Sequence, residues 1–302
     1  MGGYFGAVLA RAGYRVALVA RGRHRDAIRQ NGLRVESPKG DFVAVPAQVT
    51  DRPEEIGPVD AVIVAVKAWQ VTEAAQAMCP LLAPTTKVLP LQNGVEAAAQ
   101  LEKILGRPHT LLGLCRLISS VTAPGCIRHG GLDPTVALGE PDGSSLSPNA
   151  RALADALAAA GVVVQTPSDM RSALWEKFVF IAAVSGAGAV ARATMGEVRR
   201  CPPTRSLLQQ LMEEVAAVAR SQGVQLASDT VPRTLAFVDT IPDGGTASMQ
   251  RDLTSGVPSE LEAIIGAAVR FGNQSGVPTP ALDHVYAALL PQEWRVRGPG
   301  SK

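Results

Sequence analysis

The residues best suited to chemistry fall at five places along the chain. Lys177 heads a very apolar stretch, LWEKFVFIAAVSGAGAVAR. An ammonium there either reaches out to water along its stem or stays at a cleft as a proton donor. The run TASMQRDLTSGVPSELEAIIG carries Ser248 and, twelve residues on, Glu260. It reads as a short helix, a turn at Ser255-Gly256, and a second helix with Pro258 near its start. Ser248 then falls at a helix terminus and Glu260 in the first turn of the next helix, either as capping and solvated groups or as ligands. In AVIVAVKAWQ and VLPLQNGVE, Lys67 and the pair Asn93-Gly94 each come just after an apolar strand. Ligand crevices in open α/β sheets lie beyond the carboxyl ends of strands, so both loops are placed to line one.

The fifth place is the front of the chain, MGGYFGAVLARAGYRVALVAR. A helix start built of small residues runs into an apolar strand that ends in Arg21. That order of parts belongs to a dinucleotide-binding βαβ unit, with Gly2 or Gly3 standing for the third glycine of G-x-G-x-x-G. An acid at the end of the second strand would favour the free 2′-hydroxyl of NAD. Arginine instead suits the 2′-phosphate of NADP through charge-assisted bonds. Arg23 and Arg25 add to the same positive field, unless the three form a solvated basic turn. The strand that should precede the helix, and with it two of the three glycines, is absent: about ten residues of the usual unit. Unpaired buried backbone groups on the neighbouring strands would cost about 1–3 kcal/mol each. The chain then begins upstream of Met1, or another segment or a partner subunit fills the gap, or the cofactor site is degraded.

The elements that must position these residues divide into two regions. Up to about residue 167, strands alternate with helices. Strands are expected over Arg15–Ala20, Phe42–Val49, Ala61–Val66, Lys87–Leu91, Leu111–Val121, Thr135–Gly139 and Val162–Gln165, with helices such as Trp69–Leu82 and Ala150–Gly161 among them. Short all-apolar strands such as AVIVAV suit a sheet covered on both faces. The first 167 residues thus read as a doubly wound, Rossmann-like α/β domain lacking its first strand. Residues 168–302 read as an all-α domain, with helices over Leu174–Ala193, Arg205–Gln222, Val257–Ser275 and Leu282–Leu290. In Arg205–Gln222, Leu207, Leu208, Leu211, Met212, Val215 and Val218 recur at helical spacing, one face for a core or for a homodimer contact. The tail RVRGPGSK reads as disordered.

Composition narrows the classes. In 302 residues, 29 basic and 27 acidic side chains give a net charge of +2, which offers no footprint for nucleic acid or an anionic membrane. Cys79, Cys115, Cys126 and Cys201 show no CxxC pairing and no histidine at ligand spacing, so no metal site is expected and the thiols read as reduced, in a cytoplasmic protein. The run Phe178–Ala191 is too short to span a bilayer and reads as a buried core helix. No secretory signal opens the chain.

Taken together, the segments GGYFGAVLARAGYRVALVARG, VKAWQ, LQNGVE, WEKF and SMQRDL…SELEAIIG resemble the ketopantoate reductases, the NADPH-dependent 2-dehydropantoate 2-reductases, in order and spacing from Gly2 to about Leu290. The resemblance implies a Rossmann domain and a helical domain with the active site in the cleft between them. It implies hydride delivery from NADPH to the ketone carbon of a 2-oxo acid, with Lys177 as general acid. It further implies that Glu260 holds the substrate hydroxyl and helps order the lysine, and that Ser248 bonds the substrate carboxylate. Asn93 would lie beside nicotinamide and substrate, and Lys67 near the cofactor. Asparagines usual in the family four and eight residues after the lysine are replaced by Ile181 and Ser185. Serine can still bond substrate and isoleucine cannot, so a more apolar 2-oxo acid or ketone stands beside ketopantoate as substrate. A non-catalytic, reductase-like binding protein is the alternative from another class.

Overall fold

A computed structural model describes residues 1–298, in two compact units. One comprises Met1–Gln92 with Ala97–Met170; the other comprises Asn93–Glu96 together with the chain from Arg171 onward. The first unit is α/β. Its helices are α1 (Gly2–Arg11), α2 (Gly22–Asn31), α3 (Val71–Ala77), α4 (Ala97–Leu105) and α5 (Pro148–Ala159). Its strands are β1 (Ala17–Val19), β2 (Leu33–Glu36), β3 (Phe42–Ala44), β4 (Gln48–Thr50), β5 (Val59–Val64), β6 (Leu82–Pro90), β7 (Leu112–Arg116), β8 (Ser119–Ala123), β9 (Cys126–His129), β10 (Thr135–Gly139) and β11 (Val163–Gln165).

The nucleotide-type core of this unit is parallel: β1 pairs with β4, and β5 with β6. These remain separate two-stranded ladders, and no strand precedes α1 among the described residues. β1 and β5 therefore each keep one edge without a strand partner among those residues. The apolar β5 is correspondingly half-buried along Ala61–Ile63, and Val19 of β1 is exposed. The remaining strands form a β11-β10-β7 sheet and a β3-β2-β9-β8 sheet.

Several elements differ from the sequence expectation, each for a local reason. The strand expected over Phe42–Val49 is two strands, because Pro46, which has no N–H to give a ladder, sits between β3 and β4. The one expected over Leu111–Val121 breaks after Arg116: β7 pairs with β10, whereas β8 pairs with β9 in another sheet. β2 and β9 (LRVE, CIRH) escape a reading by apolar runs, since only alternate residues are buried. α2 escapes it because a single residue, Ile28, is buried. A buried ion pair knits this unit. Lys87 on β6 donates to Glu140 at 3.0 Å and to the Pro108 carbonyl at 2.8 Å. The other Glu140 oxygen accepts from the Ser147 hydroxyl and N–H at the start of α5.

The second unit is helical: α6 (Met170–Ala191, whose first residue belongs to the α/β unit), α7 (Met195–Arg200), α8 (Pro202–Ser221), α9 (Thr230–Asp239), α10 (Ser248–Thr254), α11 (Ala267–Ser275) and α12 (Pro280–Arg297). α6 has the length and hydropathy of a membrane span, yet most of it is buried within the protein, as suits a central core helix. The apolar face of α8 lies in the same core. Glu214 on α8 accepts from the N–H groups of Ala281 and Leu282, satisfying two of the donors that open α12. The tail expected to be disordered is in part ordered. Arg295–Arg297 complete α12, where the Arg297 guanidinium pairs with Glu293 one turn earlier and donates to the Ser259 carbonyl. Residues 299–302 lie outside the described residues.

Candidate active site

In the helical unit, the short segment Asn93–Glu96 packs with the turn that follows α10. Asn93 Nδ2 donates to Glu260 Oε2 at 3.3 Å across 167 positions of sequence. Glu260 is only 5 % exposed, so its carboxylate depends on such partners rather than on water. Gly94 has φ +94°, and a Cβ there would lie 2.7 Å from the Ala263 carbonyl oxygen. Only glycine gives both that conformation and that approach.

Glu260 stands one residue before the second helix of its motif rather than in its first turn, and its carbonyl receives the first helical bond, from Ile264 N–H at 3.0 Å. Glu262–Gly266 then widen into a π-turn before α11. Such turns often mark functional sites. The preceding residue, Ser259, is held by α12: its hydroxyl donates to Glu293 at 2.6 Å, and its N–H donates to the same carboxylate. Glu293 is 2 % exposed. Next to this lies a second cluster. Arg270 bridges Glu96 and Glu262, and the Tyr286 hydroxyl donates to Glu262. Burial, reinforced by the Glu262 carboxylate, pushes the Tyr286 phenol above its ordinary range, so it stays a donor.

Lys177 lies two turns into α6 and is half-buried. Ile181 and Ser185 follow at four-residue steps and so share its face. Ile181 packs against the core, and Ser185 is buried with a hydroxyl that has no hydrogen-bond partner among the described residues. Ser248 opens α10, half-buried. Of the residues singled out from sequence, the structure joins Asn93 and Glu260 directly. Lys177, Ser185 and Ser248 belong to the same unit, on α6 and α10.

The others belong to the α/β unit. Gly2 and Gly3 lie in the first turn of α1, where a Cβ on Gly2 would be 3.1 Å from Ala65 Cβ and one on Gly3 would collide with Ile127. Their smallness lets the helix sit tightly on its strands. Arg21 is the N-cap residue of α2 and donates to Glu73 on α3 at 2.9 Å, with both side chains largely in solvent. Arg25 is taken up by Asp26 and Asp51 instead, and it holds the Asp51 carboxyl below the usual carboxylate range. Lys67 is exposed, with its ammonium 5.7 Å from the Trp69 ring centre.

Sequence reasoning passed over several polar neighbours of these residues. Gln92 donates to the carbonyls of Val64 and Val66 at the end of β5, while its buried Oε1 has no partner among the described residues. Its place immediately before Asn93, at the end of an apolar strand, was the available signal. Glu96 and Glu262 sit within the very motifs that carry Asn93 and Glu260. Arg270, eight residues after Glu262 on a helical pattern, gave no signal before its partners were known.

Comparison with known proteins gives one answer. The chain matches the ketopantoate reductase PanE/ApbA family over residues 1–143 and that family's C-terminal region over residues 169–293. It is 32 % identical to a 2-dehydropantoate 2-reductase of Mesorhizobium japonicum, over 96 % of this chain and 94 % of that one. A crystal structure of a PanE/ApbA family ketopantoate reductase from Ralstonia eutropha superposes with a TM-score of 0.88 at 32 % identity, covering 97 % of this chain and 95 % of its own. A D-mandelate dehydrogenase solved with NADH and anilino(oxo)acetate shares the fold, with a TM-score of 0.87 at 23 % identity, covering 98 % of this chain and 96 % of its own. The chain, a Rossmann-like α/β region followed by a helical region, belongs to the ketopantoate reductase family and is a 2-dehydropantoate 2-reductase-like oxidoreductase.

Proposed function

We propose that this protein reduces a 2-oxo acid, 2-dehydropantoate first among them, with NADPH as the reductant. The observation that carries the reading is the half-buried Asn93–Glu260 hydrogen bond, made in the same unit as Lys177 and Ser248. The α/β unit suits a nicotinamide dinucleotide in three respects. α1 opens on two glycines, Gln92 holds an unpartnered acceptor at the end of β5, and Arg21 presents an exposed guanidinium. Arg21 would hold the 2′-phosphate and Lys67 would add positive charge near the cofactor. When bound, the nicotinamide supplies the hydride.

The remaining steps fall to side chains of the helical unit. Lys177 donates a hydrogen bond to the ketone oxygen and gives it a proton as negative charge develops there; solvent then restores its ammonium. Glu260 accepts from the substrate hydroxyl and helps order the lysine, while Asn93 fixes the orientation of Glu260. Ser248 donates to the substrate carboxylate, and the unpartnered Ser185 hydroxyl offers one further bond. The reaction belongs in the cytoplasm, where the four free thiols stay reduced.

Ile181 favours a second substrate reading. Its apolar side chain on the Lys177 face suits a 2-oxo acid without a hydroxyl, because a hydroxyl facing it would lose a partner. A panel of 2-oxo acids graded from hydroxylated to wholly apolar, each assayed with NADPH and with NADH, tests both readings. Highest kcat/KM for 2-dehydropantoate supports the first, and a shift to apolar acids supports the second. If neither nucleotide binds, the reading as a non-catalytic binding protein replaces them.

A further inference from the structure

We propose that Arg270 is a positioning residue for substrate binding: by bridging Glu96 to Glu262, it fixes the segment carrying Asn93 against the turn carrying Glu260. The inference rests on the reading of Asn93 and Glu260 as the substrate-holding pair. Arg270 Nη2 donates to Glu96 Oε2 at 2.8 Å and to the Glu262 carbonyl at 3.2 Å, and Nη1 donates to Glu262 Oε2 at 3.0 Å. Glu96 lies three residues after Asn93, and Glu262 two after Glu260. A single guanidinium therefore spans the two segments beside the one direct bond between their proposed site residues.

That direct bond is long for a hydrogen bond to a carboxylate and would not by itself hold two chain segments in register. The rest of the cluster removes the remaining freedom. The Tyr286 hydroxyl occupies the other Glu262 oxygen, so the carboxylate cannot turn away from Arg270 without losing a bond. A Cβ at Gly94 would lie 2.7 Å from the Ala263 carbonyl oxygen, so the two segments also approach closely there. The planar fork of arginine serves both carboxylates at once, which the point charge of a lysine does not. Arg270, Glu96 and Glu262 are each partly shielded, at 39 %, 29 % and 24 % side-chain exposure. Such pairs add little to global stability. A shift of the pair that holds the substrate, by contrast, removes binding that ground state and transition state share and so raises KM. The staple therefore acts on geometry more than on stability.

Hydrogen exchange at residues 93–96 and steady-state kinetics, in wild type, Arg270→Met, Asn93→Ala and the double variant, test this. Arg270→Met is expected to speed exchange of the 93–96 segment and raise KM for the 2-oxo acid about tenfold, with kcat less affected. The nucleotide Kd and Tm stay near wild type. In the Asn93→Ala background, Arg270→Met adds nothing further to KM, and Arg270→Lys restores only part of the wild-type value. Unchanged exchange and KM in Arg270→Met, or a KM effect that multiplies fully with that of Asn93→Ala, overturns the Arg270 role alone. A wild-type chain inert toward every 2-oxo acid overturns the functional reading and the Arg270 role together.

Discussion

The residues around Glu260 and those around Arg21 hold their charges in opposite ways. Glu260 and Glu293 are almost wholly buried, and each is bound by partners distant in sequence. Arg21 and Glu73 are 68 % and 63 % exposed and hold one another across the surface. A buried, mutually bonded set is preorganised: it needs no rearrangement when charge develops beside it. An exposed ion pair contributes about 0–1 kcal/mol and exchanges readily for a ligand of greater charge. The first arrangement suits chemistry and the second suits capture of a phosphate. Substitutions in the two regions should therefore change different quantities.

The largest expected effect is on turnover. Lys177→Ala should lower kcat about 10²–10⁴-fold while leaving the NADPH Kd, read by nucleotide fluorescence, unchanged. A loss below about tenfold would remove Lys177 from the role of general acid. The contrast between buried and exposed charge can also be drawn inside the α/β unit alone. Glu140→Ala strips a buried partner from Lys87 and should cost about 3–5 kcal/mol of unfolding free energy in urea titrations. Glu73→Ala, which breaks the surface pair, should cost less than about 1 kcal/mol. Equal losses would show that exposure does not govern how this unit uses its charges. A further effect is on cofactor choice. Arg21→Ala should weaken NADPH about tenfold and NADH much less, as measured by calorimetry. Equal weakening of the two would leave Arg21 with no part in reading the 2′-phosphate.

Much of the fold was legible because apolar runs mark buried elements whatever surrounds them. AVIVAV announces β5, and FVFIAAVSGAGAVA announces the core of α6. Lys67, Asn93 and Lys177 stand out as candidates for the same reason, as polar residues where such runs start or stop. Ties across the chain were not legible. Nothing local to AAVRFGNQS or to LQNGVE says that Arg270 will meet Glu96, since 174 positions separate them. The same holds for the end of the chain, where Arg297 looks like part of a basic tail until Glu293 and Ser259 are placed beside it. β2 and β9 were missed because half their residues face water, and a strand with one wet face leaves no unbroken apolar run.

On the proposed function, hydride passes from a reduced nicotinamide to the keto carbon of a 2-oxo acid while Lys177 supplies the proton. The most direct test uses NADPH carrying deuterium at both positions of the reactive nicotinamide carbon, incubated with this protein and 2-dehydropantoate or the preferred acid from the panel. One deuterium per molecule of 2-hydroxy acid is expected, bound to the former keto carbon, with near-complete loss of product in Lys177→Ala. Unlabelled product, no product with either nicotinamide, or undiminished labelling by Lys177→Ala would contradict it.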